Sequence, residues 1–259
     1  TFEEQLHKVQ EFKLLADGLS PQVATILTGL LVDETRLSVI DMLQNAVVED
    51  LEFNAYLDDF QEVISRPQNR NVEFAREMLF FVAELKIHRQ YIHEFGVALG
   101  CPEKQLLRHD LCKLIAEQFE GYARFFRGGR LQEDHAAYLA AWEKHQHEEH
   151  YLESYSKNEF NFDDMTDERL QYNMLEVVAD HLAATKQRGG GSLVDRLVHV
   201  FPKTNPHPRL IPYLEKGFKK AHAFYLESEE NPESDSIFKG LPCWSSEVEE
   251  VFSKLKANS

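Results

Sequence analysis

The chain has 259 residues, of which 43% are apolar and 28% charged, a composition that suits one large globular domain or one domain with appendages. The formal net charge of −16 argues against non-specific binding to nucleic-acid polymers, which needs a basic surface. No stretch approaches the roughly 20 apolar residues of a membrane span, and the spacing of the three cysteines indicates no disulfide framework. We therefore expect a cytoplasmic protein that does not associate with membranes.

Residues 1–70 are predicted to form a helical N-terminal appendage. Apolar spacings of three and four predict amphipathic helices over 2–16, 22–31, 36–49 and 51–64. The polar segment 66–71 contains a proline and two asparagines, which indicates a linker. The appendage has one histidine, His7, so we expect no ligand cluster there. Its role is left open as a lid, a dimer interface or both.

Residues 71–228 are predicted to form the main helical domain. A long helix from Val72 to Leu99 is followed by Gly100 and Pro102, a typical helix end. Further helices, one with Thr166 as its N-cap, are predicted over about 103–107, 109–126, 133–154, 167–187, 193–200 and 209–228. An acidic segment and a C-terminal helix at about 246–256 occupy residues 229–259. Since β-alternation is absent from the sequence, the expected fold class is an all-α helical bundle.

The central motif is the doublet His109-Asp110. Adjacent nitrogen and oxygen ligands can close on one divalent ion, and Lys113, one helical turn later, would face an oxyanion held by that ion. His88 precedes His109 by 21 residues, enough for one helix to end and another to return beside it. Asp180 stands on a mostly apolar predicted helix, where an unpaired carboxylate would be costly, so a metal is a good partner for it.

Two histidines and two carboxylates suit Mn, Fe, Zn, Ni or Co better than Ca, which prefers oxygen ligands alone. Each candidate also has a plainer interpretation. The doublet could start a capped helix, Asp180 could pair with an arginine, and His88, with His93 as its rival, could be a bonded core histidine. The run EKHQHEEH at 143–150 could be an exposed helix.

The order His…His-Asp…Asp resembles the HD-domain superfamily of metal-dependent enzymes, all-helical proteins named for that doublet. The segment His109-Asp110-Leu111-Cys112-Lys113 resembles their HD-x-x-K form, and Ala179-Asp180 resembles the final Asp of their fifth core helix. The chain is more similar still to an uncharacterised HD-like branch. The shared features span about residues 75–200 and include H-D-L-x-K-(L/F), Glu117, Phe119, Tyr122-Ala123-Arg124, and Ala141-Trp142 leading into the histidine-rich run.

The resemblance implies one or two divalent transition-metal ions (Mn, Fe, Co, Ni or Zn). In HD proteins with two ions, two extra histidines lie between the doublet and the last Asp, and the doublet Asp bridges the ions. Motif position favours His145 and His150, whereas a continuous helix favours His147 and His150, which share a face at i,i+3. A helix that ends near residue 147 would remove this conflict. The predicted ligands are His88, His109, Asp110, His145, His150 and Asp180.

Most HD proteins are phosphohydrolases, so the resemblance implies hydrolysis of a small phosphate ester or nucleotide. The catalytic residues would be Asp110, which holds the metal whose bound hydroxide attacks, and Lys113, which neutralises the phosphate. The alternative is an HD-type di-iron oxygenase that cleaves a C–C or C–P bond with O₂. A second alternative is a non-catalytic binding protein on a degenerate HD fold.

The expected partner is a small anionic substrate. Contacts with it are predicted for Lys113, Arg124 and His147, and Glu117 is predicted to support a metal ligand. The substrate's identity, the number of ions and the oligomeric state, a homo-oligomer included, are left open by the sequence.

Overall fold

The computed structural model describes residues 72–114, 116–125, 132–156, 162–189, 192–231 and 233–257. Every regular element within these ranges is a helix, and this part of the chain is all-α, as the sequence predicts. The predicted N-terminal appendage, residues 1–70, lies outside the described residues. No described helix combines the length and apolar character that spanning a bilayer requires.

The α-helices, numbered along the described chain, are α1 (Val72–Leu99), α2 (Glu103–Leu106), α3 (Ala116–Ala123), α4 (Gln132–His145), α5 (Leu152–Ser156), α6 (Asp167–Gln187), α7 (Leu193–His199), α8 (Ile211–Glu230) and α9 (Ser246–Ala257). Short 3-10 segments lie at Leu111–Leu114, Phe162–Asp164, Phe201–Thr204 and Pro208–Leu210. The predicted bounds agree closely for α1, α6 and α9. They are wrong at two places, and both lie beside predicted metal ligands.

The helix predicted over 109–126 is interrupted at the doublet. Asp110 has a φ of 60°, a left-handed conformation that a right-handed helix does not contain and that Asp tolerates better than most residues. A 3-10 segment follows at Leu111–Leu114, and α3 begins only at Ala116. The doublet therefore lies in a turn.

The helix predicted over 133–154 ends at His145. Turns follow, and α5 begins at Leu152. The buried Ser154 hydroxyl lies within hydrogen-bonding distance of the carbonyl oxygens of Gln146 and Glu148, which a continuing helix would have bonded through its own backbone. The break ends the i,i+5 helical geometry that would have held His145 and residue 150 on different helix faces.

The described chain belongs to two compact units. The first contains the described residues up to Ile87 and those of Asp110–His145, and the second contains the described residues of His88–His109 and Gln146–Ser259. The chain passes from one unit to the other within α1, at the doublet and after α4. The domain boundaries predicted after residues 70 and 228 stay predictions.

In the first unit, α3 packs closely against α4. A Cβ atom on Gly121 would lie 2.5 Å from the carbonyl oxygen of Ala137 and 3.0 Å from the Cβ of Ala141. Glycine is therefore the residue that fits here without a shift of the backbone. The close pairing positions Asp110, which precedes α3, and His145, which ends α4.

The end of α1 is a Schellman motif. The N–H of Cys101 donates to the carbonyl of Gly96 at 2.9 Å, and the N–H of Gly100 donates to that of Val97 at 3.0 Å. Gly100 has a φ of 89°, which only glycine adopts without cost. The helix end predicted from Gly100 and Pro102 is confirmed, and the turn leads directly into α2.

The central helix of the second unit is α6. Thr166 caps its start by accepting a hydrogen bond from the N–H of Arg169 at 3.2 Å, as predicted. The apolar side of α6 packs against α7 and α8. Phe201, Phe218 and Phe252 are buried beside it, with ring centroids 5.5 to 6.3 Å apart, and each such side chain contributes about 1.5–3 kcal/mol. This core holds α6 in place.

His181 on α6 faces that aromatic core. Its ring centroid lies 6.3 Å from Phe201 and 6.0 Å from Phe218, and its Nδ1–H donates to the carbonyl of Val177 at 3.1 Å. Burial lowers the pKa of His181, Arg196 lowers it further, and Asp180 opposes both. The folded chain therefore favours the neutral ring.

Protonation of His181 is expected to destabilise the fold. Because the folded pKa lies below the ordinary 6.5, this stabilisation is complete above that pH and is lost as the pH falls through the folded pKa. Between about pH 7.5 and about pH 5, the free energy of unfolding should decrease less in His181→Gln than in the native chain. Urea denaturation followed by circular dichroism measures this, and His199→Gln, at an exposed position, should keep the native slope. An equally steep decrease in His181→Gln would contradict the prediction.

Candidate metal centre

One face of α6 carries a row of polar side chains. Arg169, Asn173, Glu176 and Asp180 recur at i, i+4, i+7 and i+11, a spacing that places side chains on one helix face. The residues between them are mostly apolar and buried. The row brings charged and amide groups into an apolar surrounding, where each needs a partner.

Two predicted ligands, His88 and Asp180, meet at the C-terminal end of this row. Nε2 of His88 lies 3.1 Å from Oδ1 of Asp180, and the two side chains are 13% and 23% exposed. The ring centroids of His88 and His109 lie 6.0 Å apart. A third predicted ligand is thus near this pair within the same unit.

Both oxygens of the buried Glu176 carboxylate accept hydrogen bonds from side chains of α2 and the turn that follows it. Nε2 of Gln105 donates to Oε2 at 2.6 Å, and Nδ1 of His109 donates to Oε1 at 2.7 Å. Gln105 and His109 are one turn apart, so α2 and its following turn bring both donors to the same side. Nδ1 of His150 lies 3.9 Å from the same Oε1, and the rings of His109 and His150 have centroids 4.1 Å apart.

Glu176 is an anion in the folded chain. Burial raises its pKa, but the hydrogen bond from His109, the charges of His109 and His150, and the bond from Gln105 outweigh burial, so the pKa lies below its ordinary value. A buried anion beside two imidazoles is a charge arrangement that a divalent cation complements.

Arg89 fixes the turn that carries His109. Its guanidinium donates to the carbonyl oxygen of His109 and, at 2.7 Å, to that of Leu107. Arg89 is only 3% exposed, so these carbonyls supply the hydrogen bonds that water would otherwise provide. Neighbouring residues of α1, His88 and Arg89, therefore hold Asp180 and the backbone of His109.

His109, His150 and Glu176 form a group that could hold a metal ion, and we call it the Glu176 centre. One ligand atom of each lies within 4.8 Å of the others, and all three residues are buried. Two imidazoles and one carboxylate suit Zn, Mn, Fe, Co or Ni. Glu176 fits either of two roles, as a ligand or as the partner that orients His109.

In the first unit, both oxygens of the Asp110 carboxylate have partners. Nε2 of His145 lies 3.1 Å from Oδ1, and Nζ of Lys113 donates to Oδ2 at 2.6 Å. The side chains of Asp110 and His145 are 1% and 0% exposed. Nζ of Lys113 also lies 5.4 Å from the centre of the Tyr122 ring. A buried ion pair therefore holds the doublet's carboxylate.

Cys112 contacts the other nitrogen of the His145 ring. Its Sγ lies 3.0 Å from Nδ1. Nδ1 of a neutral ring whose proton is on Nε2 accepts a hydrogen bond from the thiol. Two residues of the doublet segment thus orient His145 from both sides.

The six predicted ligands are divided between the units. The second unit holds His88, His109, His150 and Asp180, and the first holds Asp110 and His145. Motif position favours His145 and His150, which a continuous helix would have placed on different faces. The helix break after His145 removes this objection. Both residues are buried, whereas His147 is exposed. That all six bind ions of one centre stays a prediction.

Two residues predicted to contact substrate are bonded to carboxylates of this chain. The Arg124 guanidinium donates to Glu120 at 3.2 and 3.3 Å, and Lys113 pairs with Asp110 as described. Neither residue lines the cavity described below. Their contacts with substrate stay predictions, as does that of the exposed His147.

Two further candidates were weighed from the sequence. His93, the rival of His88, contacts Glu103 at 3.1 Å, and these side chains are 35% and 68% exposed. His93 is therefore more exposed than the half-buried His88. The side chain of Glu117 lies outside the described residues, and its supporting role stays a prediction.

A cavity of about 470 Å³ reaches the Glu176 centre. All of its lining residues belong to the second unit, and they are Pro102, Lys104, Gln105, Arg108, His109, Glu148, Glu149, His150, Arg169, Asn173 and Glu176. One wall is braced, because Arg169 and Asn173 both donate to Glu149, at 3.1 and 2.7 Å. The cavity gives a small polar molecule access to the centre.

Sequence reasoning missed Glu176, Gln105 and Arg89. Their positions belong to no motif of the resemblance, and Arg89 acts only on backbone carbonyls. One signal was present for Glu176. It stands four residues before Asp180 among apolar residues of a predicted helix, so the same helix face had to carry two acids.

Replacing the Glu176 carboxylate is expected to weaken metal binding. Glu176→Gln removes the anion and the strong acceptor of the His109 bond, so the Kd for Zn²⁺ or Co²⁺ should rise by about 10–100-fold. Competition with a chromophoric chelator measures the Kd. Glu168→Gln, at an exposed position of the same helix, should bind as the native chain does. An unchanged Kd in Glu176→Gln would contradict a role of this residue at the centre.

Removal of the Lys113 charge is expected to destabilise the first unit. Lys113→Met leaves the buried Asp110 carboxylate without its cation, and we expect a loss of about 3 kcal/mol in the free energy of unfolding, because His145 still contacts the acid. The double variant Lys113→Met/Asp110→Asn should recover much of the loss in urea denaturation. Lys144→Met, at an exposed position, is the matched control. A single variant as stable as this control would rule out the ion pair as a stabilising contact.

Comparison with known proteins assigns the chain to a family. A family model described as a family of unknown function (DUF5662) matches residues 77–223, more than half of the chain. The matched segment contains the six predicted ligands and Glu176. No curated protein and no solved structure matches, so the resemblance to the HD superfamily stays a prediction. The chain belongs to the family of unknown function DUF5662.

Proposed function

We propose that this protein is a metal-dependent phosphohydrolase that acts on a small phosphate ester. The observation that carries the proposal is the Glu176 centre, a buried His109–His150–Glu176 group at a cavity whose lining includes three cationic side chains. Buried imidazole and carboxylate donors favour a transition metal, and cations beside them favour an anionic substrate.

The residues that would hold the ion are His109 and His150, with Glu176 as a ligand or as the residue that orients His109. When bound, a divalent ion supplies Lewis-acid activation of water and of a phosphoryl oxygen. His88 and Asp180 form a further nitrogen–oxygen pair in the same unit, which supports the prediction of one or two ions. Asp110 lies in the first unit, and its role as a metal ligand stays a prediction of the doublet resemblance.

The remaining residues orient the donors and receive the substrate. Gln105 and Glu176 fix the ring of His109, and Arg89 fixes its backbone. Lys104 and Arg108 line the cavity at exposed positions, where their charges would neutralise a phosphate group as it binds. Preorganised donors of this kind favour the transition state because they need no rearrangement during the reaction.

The alternative is a di-iron oxygenase, because the second unit holds more candidate metal ligands than one ion needs. The second unit alone brings three imidazoles and two carboxylates close together, more than one ion needs, and iron accepts this mixture of nitrogen and oxygen ligands. The identity of the bound metal separates the two proposals. A non-catalytic binding protein is the second alternative, which hydrolysis and O₂-uptake assays together separate from both enzymes.

Metal content is the test of the proposed function. Protein purified without chelator or nickel resin is analysed by mass spectrometry, together with His150→Ala and the matched control His199→Ala at an exposed position. We expect about one or two Mn, Co, Ni or Zn ions per chain in the native protein and in the control. His150→Ala should lose at least half of the metal because a buried imidazole ligand is removed.

The outcomes separate the proposals. Hydrolysis of phosphate monoesters by the loaded protein, lost in His150→Ala and kept in His199→Ala, would support the phosphohydrolase. Two irons per chain with O₂ uptake would replace it with the oxygenase. Metal-free protein that stays metal-free after incubation with each of these ions would contradict both enzymatic proposals.

A further inference from the structure

We infer that the cavity selects a small phosphate monoester that carries hydroxyl groups, such as a sugar phosphate, rather than a nucleotide. The inference rests on the proposed function, since it names the substrate class of the same site. It assigns phosphate binding to Lys104 and Arg108, and hydroxyl binding to Glu148. All of the residues that line the cavity lie in one unit.

The anion-binding end is formed by Lys104 and Arg108. They are one helical turn apart along α2 and the turn that follows it, so their side chains leave the same side. Both are exposed, and no described carboxylate pairs with either side chain. Arg169, by contrast, is held by Glu149. Of the three lining cations, these two are thus the ones available to a ligand.

The rest of the lining offers hydrogen-bond acceptors. Glu148 is half-buried, and no described side chain pairs with its carboxylate. Gln105 donates both to Asn173 and to Glu176 through its nitrogen, which directs its amide oxygen elsewhere as an acceptor. Acceptors of this kind bind the hydroxyl groups of a polyol, whose O–H bonds are donors.

The charge of the lining limits the ligand to one phosphate. Three cations (Lys104, Arg108 and Arg169) face three carboxylates (Glu148, Glu149 and Glu176), so the formal charges cancel before a metal binds. A divalent ion and one phosphate dianion preserve this balance. A second phosphate would add further negative charge beside the carboxylate of Glu148 and end this balance, and like charges at short range are unfavourable.

The lining also lacks a surface for a nucleobase. Apart from the two candidate metal-binding histidines, none of the eleven lining residues has an aromatic side chain. Bases are commonly held by stacking on aromatic rings, which contributes about 1–3 kcal/mol per base in nucleic-acid complexes. A ligand without a base needs no such stacking surface. The cavity volume of about 470 Å³ lies within the range for small-molecule sites.

The test compares ligands that differ by one group. Ribose 5-phosphate and AMP share the sugar and the phosphate and differ in the base, and inorganic phosphate lacks the sugar. Isothermal titration with the metal-loaded protein measures the Kd of each, and phosphoethanolamine tests an ammonium group in place of the hydroxyls. We expect ribose 5-phosphate to bind roughly tenfold or more tightly than each of the other three. Inorganic phosphate and phosphoethanolamine lack the hydroxyl groups, and the adenine of AMP would cover polar side chains of the lining without replacing their hydrogen bonds to water.

The variants separate the two ends of the cavity. Arg108→Gln should raise the Kd of ribose 5-phosphate and of inorganic phosphate alike, by roughly tenfold. Glu148→Gln should weaken ribose 5-phosphate by a similar factor and leave inorganic phosphate unchanged or tighter. Arg188→Gln, at an exposed position outside the cavity, is the control and should change neither.

The outcomes distinguish this inference from the proposed function. AMP or phosphoethanolamine binding as tightly as ribose 5-phosphate would overturn the inference. So would hydrolysis and binding unaffected by Arg108→Gln and Glu148→Gln, although the phosphohydrolase would stand. The expected binding pattern without any hydrolysis would support the inference and count against the proposed function.

Discussion

A carboxylate inside an apolar core must be bonded at both oxygens, and Glu176 meets this requirement through Gln105 and His109. The rest of the site follows from that constraint. The Schellman turn at Gly100 directs the chain into α2, and α2 with its following turn presents both donors on one side. Arg89 then fixes the backbone of that turn. Glu176 thus orients the imidazole of His109, and Arg89 fixes its backbone. Binding and catalysis both need side chains that are preorganised in this way.

Charge is distributed unevenly in this acidic chain. With a net charge of −16, most of the surface repels anions, yet Lys104 and Arg108 stand unpaired among the described residues at the cavity. Local attraction at the cavity acts against the general repulsion, and salt screens the longer-range repulsion more than the short contacts. Under the proposed function, small anions would bind at the cavity, whereas polyanions would be repelled because their charge must approach the acidic surface over a large area.

Much of the fold was predictable because local signals decide it. Apolar periodicity, Gly100 and Thr166 gave α1 and α6 nearly to the residue, and the grouping of His88 with Asp180 followed from motif order. The two helix breaks were not predictable in this way. The left-handed Asp110 is accompanied by contacts with His145 and Lys113, and the end of α4 by a Ser154 hydroxyl that bonds the carbonyls beyond it. Glu176 was missed because it belongs to no motif and its partners come from distant parts of the chain.

The left-handed backbone at Asp110 narrows what the position can tolerate. Only Gly, Asn and Asp adopt a φ near 60° at low cost, and among these three only Asp carries a charge. Backbone shape and charge requirement thus select the same residue for independent reasons. Substitution by Asn or Gly would preserve the turn but would remove the anion that pairs with the Lys113 ammonium. Substitution by Glu would preserve the charge but would strain the backbone of the turn. Each of these single substitutions loses either the charge or the relaxed backbone, so we expect selection to keep Asp at this position.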